Sequence, residues 1–215
     1  MSKTLYSLLL DEEIVRAVDG LAHRSGMSRS ALVNRILAER LGLNTPEARI
    51  AEVLRAVEAL ISPDPELVPR FVPNAQSISL KSALDYKYRP TVKYEVQLYP
   101  AGEETIGELN VLFRTQSAEL LGLMGGFFRL WKELEDVYLA PKLGFRLPCA
   151  LYDGKFVRGI ARPGRDCTSD ELAAAISEYV RLFDRIMKGI VAGRLSAGDA
   201  EQQYAAYLSA AALLI

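Results

Sequence analysis

The chain has 215 residues, half of them apolar, with 26 basic and 27 acidic side chains and a net charge of −1. That length suits one to two domains, and that apolar share suits a buried core. The charge balance excludes a basic coat over the whole surface, so contact with a polyanion has to come from a local patch.

The two cysteines, Cys149 and Cys167, fit no metal or redox spacing, and His23 is the sole histidine. No metal centre of the usual His/Cys kind and no cofactor are expected. The N-terminus lacks the apolar core and small-residue cleavage site of a secretory signal. The apolar runs at 120–128 and 205–215 fall short of the roughly 20 residues that span a bilayer. A cytoplasmic protein without a membrane partner is expected.

In chain order, residues 4–10 (TLYSLLL) read as a strand. Asp11 caps a first helix, with Glu12 and Glu13 in the turn where the helix dipole favours them. Gly26 ends that helix, Ser28 caps a second, and Gly42 closes it. Thr45 and Pro46 open a third helix with an apolar stripe through Ile50, Val53, Leu54 and Val57. Residues 62–77 carry four prolines and read as a linker.

Beyond it, 78–84, 91–99 and 107–115 read as strands, the second alternating Val92, Tyr94, Val96 and Leu98 against Lys93, Glu95 and Gln97. A helix is expected from about Ser117 to Leu139, a hairpin turning at Asp153-Gly154, a helix from Thr168 or Ser169 to Val191, and a last one over 196–214. The expected organisation is a module over 1–43, a connecting helix over 44–61, the linker over 62–77 and an α+β domain over 78–215, with a small antiparallel sheet and long helices.

The opening stretch resembles the ribbon-helix-helix DNA-binding family. The matching residues are Leu10-Asp11-Glu12 at the end of a strand, an amphipathic helix, and Gly26-Met27-Ser28-Arg29-Ser30-Ala31-Leu32 opening a second helix. The resemblance implies a homodimer in which residues 4–10 of two copies pair antiparallel and the ribbon lies in the major groove of double-stranded DNA. Dimerisation has its own physical ground, because a lone strand neither satisfies its backbone groups nor buries its apolar side. If Leu10, Leu8 and Tyr6 face inward, the outer face shows Lys3, Leu5, Ser7 and Leu9. Two leucines there depart from the family pattern, since base edges are read by polar side chains. Arg24, Ser28, Arg29 and Ser30 complete the expected DNA-binding set, with backbone N–H groups at the second helix start facing phosphate. Residues 1–43 hold six basic and five acidic side chains, which is thin for a DNA binder.

Two functions follow. One is a dimeric DNA-binding transcriptional regulator, a repressor by occupancy, with a C-terminal ligand-sensing or assembly domain. The other is a structural or assembly protein that uses the module for homodimerisation alone. No catalytic motif is present, and the chain is not expected to be an enzyme. Carboxylates such as Glu103, Glu133, Glu135 and Asp136 read as solvated surface. Lys81, Tyr86, Lys87, Tyr88, Lys93 and Tyr94 interleave as single-strand binders do, though an ordinary strand pair is the preferred reading. Gly122 and Gly126 suggest close packing of another helix, and Arg162 and Arg165 a solvated loop.

Overall fold

The computed structural model describes residues 5–43, 45–71, 76–87, 89–100 and 102–215. The chain divides into two compact units, up to Thr45 and from Pro46 onward. In the first, residues 5–11 adopt no regular secondary structure, and α1 (Glu12–Arg24) and α2 (Arg29–Arg40) follow. Asp11 stands at the N-cap of α1 without a capping side-chain hydrogen bond. Ser28 caps α2 by accepting from the Ala31 N–H at 3.3 Å. Gly26 (φ +63°) makes the left-handed turn between the helices, which a residue without a Cβ adopts freely.

The expected strand at 4–10 does not form. Thr4 lies outside the described residues, and over 5–10 no strand stands opposite, so the backbone groups have no ladder to join. Among the described residues, three helices precede the first strand. That order is not the strand-then-helix opening of a ribbon-helix-helix module.

The second unit is mixed α+β. It opens with α3 (Pro46–Ile61), whose Ile50, Val53, Leu54, Val57 and Ile61 are buried. Strands β1 (Leu67–Phe71), β2 (Ser77–Ala83), β3 (Thr91–Leu98), β4 (Thr105–Phe113), β5 (Cys149–Tyr152) and β6 (Lys155–Ala161) form a sheet ordered β1-β2-β3-β4-β6-β5. Every neighbouring pair is antiparallel. Strand β1 arises inside the stretch expected as a linker. It tolerates Pro69 because it lies at the sheet edge, where a missing N–H costs no ladder bond on the open side.

Helix α4 (Ala118–Leu134) runs into a π-helical turn, Glu135–Leu139, and then α5 (Ala140–Leu143); α6 (Ser169–Val191) and α7 (Ala197–Ala210) follow. Alternation on β3 sends Val92, Tyr94, Val96 and Leu98 into the core, where the helices meet them. Phe183 of α6 is the hub. Its ring lies 4.8 Å from Trp131, 5.1 Å from Phe127, 5.7 Å from Phe156 and 6.0 Å from Tyr94. At the β5–β6 hairpin Gly154 has φ +72°, and a Cβ there would come within 2.8 Å of the Phe113 carbonyl. The turn thus admits glycine for both conformation and space.

Several polar groups in this core are paired. The Tyr94 hydroxyl donates to Asp184 at 2.8 Å, and Lys188 donates to Asp184 at 2.7 Å and to Glu66 at 2.6 Å. Tyr94→Phe removes the donor from a buried carboxylate. A loss of about 1–3 kcal/mol in urea unfolding is expected, and an unchanged midpoint would refute this account of the pair.

Thr168 and Glu171 form a reciprocal capping box at the start of α6. The Arg165 guanidinium, bonded to Glu171 at 2.8 Å, and the Thr168 N–H hold the Glu171 carboxyl down at about 2 from its ordinary 4.5. A lowered folded-state value means the ionised carboxylate stabilises the fold, fully so above its ordinary value and no longer once pH falls through about 2. Glu171→Gln should therefore be less stable than the parent at neutral pH, with the two acid-unfolding curves converging between those two values. Parallel curves across that range would contradict it.

Candidate functional site

In the first unit, the described residues bury only three apolar side chains, Ala22, Leu32 and Ala38. So short a unit is marginal even with a good core. Most of its larger apolar side chains face outward. In the extended segment Leu5 is 95 % exposed and Leu9 is fully exposed, with Tyr6, Leu8 and Leu10 exposed beside them. Ile14 and Leu21 on α1 and Ile36 and Leu37 on α2 are also open. Apolar residues concentrated on one small unit in this way mark an interaction surface.

The DNA-binding set from the sequence falls as follows. Lys3 lies outside the described residues. Leu5, Ser7 and Leu9 are exposed on the irregular segment, and Arg24 is exposed in the last turn of α1. Ser28 is the α2 cap, and Ser30 is exposed in the first turn. Arg29 is bound within the unit: its guanidinium grips Asp19 of α1 through two hydrogen bonds, the second at 2.6 Å. That ion pair ties α2 to α1 and offsets the charge that the sequence reading assigned to phosphate. Arg16 pairs with Glu12 at 2.8 Å, one helical turn away.

In the second unit several expectations are revised. Glu135 is buried, not solvated. Tyr94 points into the core and Tyr86 donates to Glu119 at 2.8 Å, while Tyr88 lies outside the described residues. Lys81 and Lys93 project from the opposite sheet face to Tyr94, so base and aromatic do not line one surface as single-strand binding requires. A Cβ on Gly122 or Gly126 would meet nothing within 4 Å, so no backbone packs closely there. Arg162 donates to the Glu103 carbonyl at 2.9 Å and to that of Gly102, and so fastens a loop. Cys149 is half-buried, and burial, with Glu135 nearby, pushes its thiol up to about 11, which disfavours the reactive thiolate.

The sequence reading missed a buried polar cluster. Arg158 of β6 and Glu135 of the π-helical turn meet at 2.8 Å with side chains 1 % and 7 % exposed. The Tyr179 hydroxyl donates to the same Glu135 oxygen at 2.7 Å and receives the Trp131 indole N–H at 2.7 Å. The Arg158 guanidinium lies 4.2 Å over the Tyr179 ring. Burial opposes the Arg158 charge most, and Glu135 together with Tyr179, Tyr204 and Tyr207 outweighs it, so the guanidinium stays charged. Spacing carried the signal. Glu135 continues the stripe Leu120, Met124, Phe127, Trp131 at helical intervals, and Arg158 falls between Phe156 and Ile160 on the inward parity of a strand.

Among the described residues no group of His, Cys, Asp and Glu is arranged to hold a metal ion, and no helix is long and apolar enough to cross a membrane. Comparison of the chain with family models, curated proteins and solved structures returned no match. The ribbon-helix-helix resemblance of the opening residues is therefore not upheld: the first described strand comes after three helices, and no family model recognises the segment.

Proposed function

We propose that the chain is a homodimeric assembly protein, in which residues 5–43 join two copies and the α+β unit is thereby presented in pairs. The observation behind this reading is the outward display of leucine on a unit with almost no core of its own. A second copy is the occupant that supplies what this surface lacks. Segment 5–10 of one copy, laid antiparallel on that of another, satisfies both backbones and shelters both rows of leucine. An isologous contact of this kind needs no other partner. Sedimentation velocity on the full chain tests it: a dimer at micromolar concentration is expected, and a monomer at every accessible concentration would end the proposal.

A second reading has the same dimer bind double-stranded DNA and regulate transcription, the α+β unit serving as a ligand sensor. It is favoured by one feature, the α2 start. That turn carries no acidic residue and presents Ser28 and Ser30, with exposed Arg24 nearby in sequence. The Arg29–Asp19 pair argues against it. A gel shift at low salt distinguishes the two, since phosphate-driven binding weakens steeply as salt rises. Binding that falls with salt and is reduced by Arg24→Ala supports the DNA reading, and a dimer that retains no DNA leaves the assembly reading.

A further inference from the structure

We propose that the outer face of the sheet docks an acidic, extended peptide segment of a partner protein, laid across the strands along the row Val68, Lys81, Lys93, Leu112, Lys155 and Tyr152. The proposal is independent of what the first unit does. Strand register sets these six side chains next to one another. Val68 stands opposite Lys81, Lys81 opposite Lys93, Lys93 opposite Leu112, Leu112 opposite Lys155, and Lys155 opposite Tyr152. Lys93 has the opposite parity to Tyr94, so the row lies on the side of the sheet away from the aromatic core. Val68 and Tyr152 at its two ends are 61 % and 62 % exposed, and Lys81 is exposed between them. Lys81 and Lys93 are like charges directly across two strands, an arrangement that weakens pairing. Lys93 reaches Glu95 at 3.5 Å, whereas Lys81 and Lys155 form no ion pair among the described residues. A carboxylate laid over the Lys81–Lys93 pair turns that repulsion into attraction.

The shape of the charge selects the occupant. In chain-crossing order the row reads apolar, basic, basic, apolar, basic, aromatic. With strands about 4.8 Å apart it is about 24 Å long, the reach of about seven extended residues. The basic character is confined to this one line. Glu95 and Glu108 stand on the same side of the sheet in the neighbouring rows, opposite Asn110 and Gln97. An anionic bilayer would press on the whole face and meet those two carboxylates as well. A single-stranded nucleic acid needs a succession of aromatic platforms, and the row offers one, at its end. A peptide follows the line alone. Its carboxylates meet the lysines as point charges, and apolar side chains between them meet Val68, Leu112 and Tyr152. Complementary charge of this kind fixes register and speeds encounter.

The test titrates the full chain into a fluorescein-labelled peptide, Leu-Glu-Glu-Leu-Glu-Leu, which copies the row with its charges reversed, and follows fluorescence anisotropy at low salt. Saturable binding is expected, weakening as salt rises. Lys81→Glu should weaken it about tenfold. The same variant replaces the Lys81–Lys93 repulsion by a cross-strand ion pair, so its urea midpoint should rise. Weaker binding in a more stable protein is a result that a purely structural lysine would not give. Lys155→Gln should weaken binding several-fold and leave the urea midpoint unchanged. A labelled oligothymidylate and phosphatidylserine vesicles, titrated in parallel, should bind more weakly than the peptide. The proposal fails if the peptide does not saturate at low salt, or if Lys81→Glu and Lys155→Gln bind it as the parent does. It also fails if the oligonucleotide or the vesicles bind more tightly, which would give the face to that partner instead.

Discussion

Replacing Leu5 and Leu9 together by Asp is expected to convert a dimer of twice 23.8 kDa into a monomer at micromolar concentration. Both side chains stand free of the fold, so their loss takes nothing from either unit's own packing. In the proposed dimer they are covered. Sheltering one leucine is worth roughly 1.5–3 kcal/mol, and the two copies contribute four, or roughly 6–12 kcal/mol in all. A micromolar dimer is held by about 8 kcal/mol, so removal of this surface is decisive. The four introduced carboxylates add repulsion across the shared axis. Light scattering behind size exclusion measures the mass, and near-ultraviolet circular dichroism checks that the α+β unit is undisturbed. A double variant that remains dimeric would show that copies associate elsewhere.

Glu135→Leu alone is expected to destabilise the α+β unit by about 3–5 kcal/mol, because it strands the Arg158 charge in a dry core. The Tyr179 hydroxyl loses its acceptor in the same step. Glu135→Leu with Arg158→Met removes both charges and replaces them with side chains of similar bulk. Pairs exchanged in this way often end neutral or more stable, so the double variant should recover most of the single variant's loss. Urea unfolding of the parent, both single variants and the double variant forms the test cycle. If the double variant loses as much as the sum of the singles, the two residues do not act as a pair.

Much of the second unit was legible in residue order because its signals are local. Period-two alternation marked β3 at 91–98, and Asp153-Gly154 marked the β5–β6 turn. Thr168 or Ser169 marked the start of α6, and the structure places the cap at Thr168. Such signals depend on neighbours within one turn or one strand. Strand β1 was hidden because its evidence is a partner, β2, and its prolines suggested a linker. The Arg158–Glu135 cluster was hidden in another way. Each residue sat at an inward position of its own element, yet charge alone reads as surface until the opposing group is seen.

The sequence by itself determined the elements whose geometry is written within a few residues: helix caps, the hairpin turn, the alternating strands and the α+β class. It also determined that the opening segment is too apolar for its size, whichever conformation that segment adopts. Only the tertiary structure decided that residues 5–11 form no strand within the chain, that Arg29 is held by Asp19, and that Glu135 and Arg158 meet in the core. The reason is the same for all three. A backbone ladder or an ion pair is a relation between two groups, and here those partners lie from 10 to 23 positions apart or are not supplied by the chain.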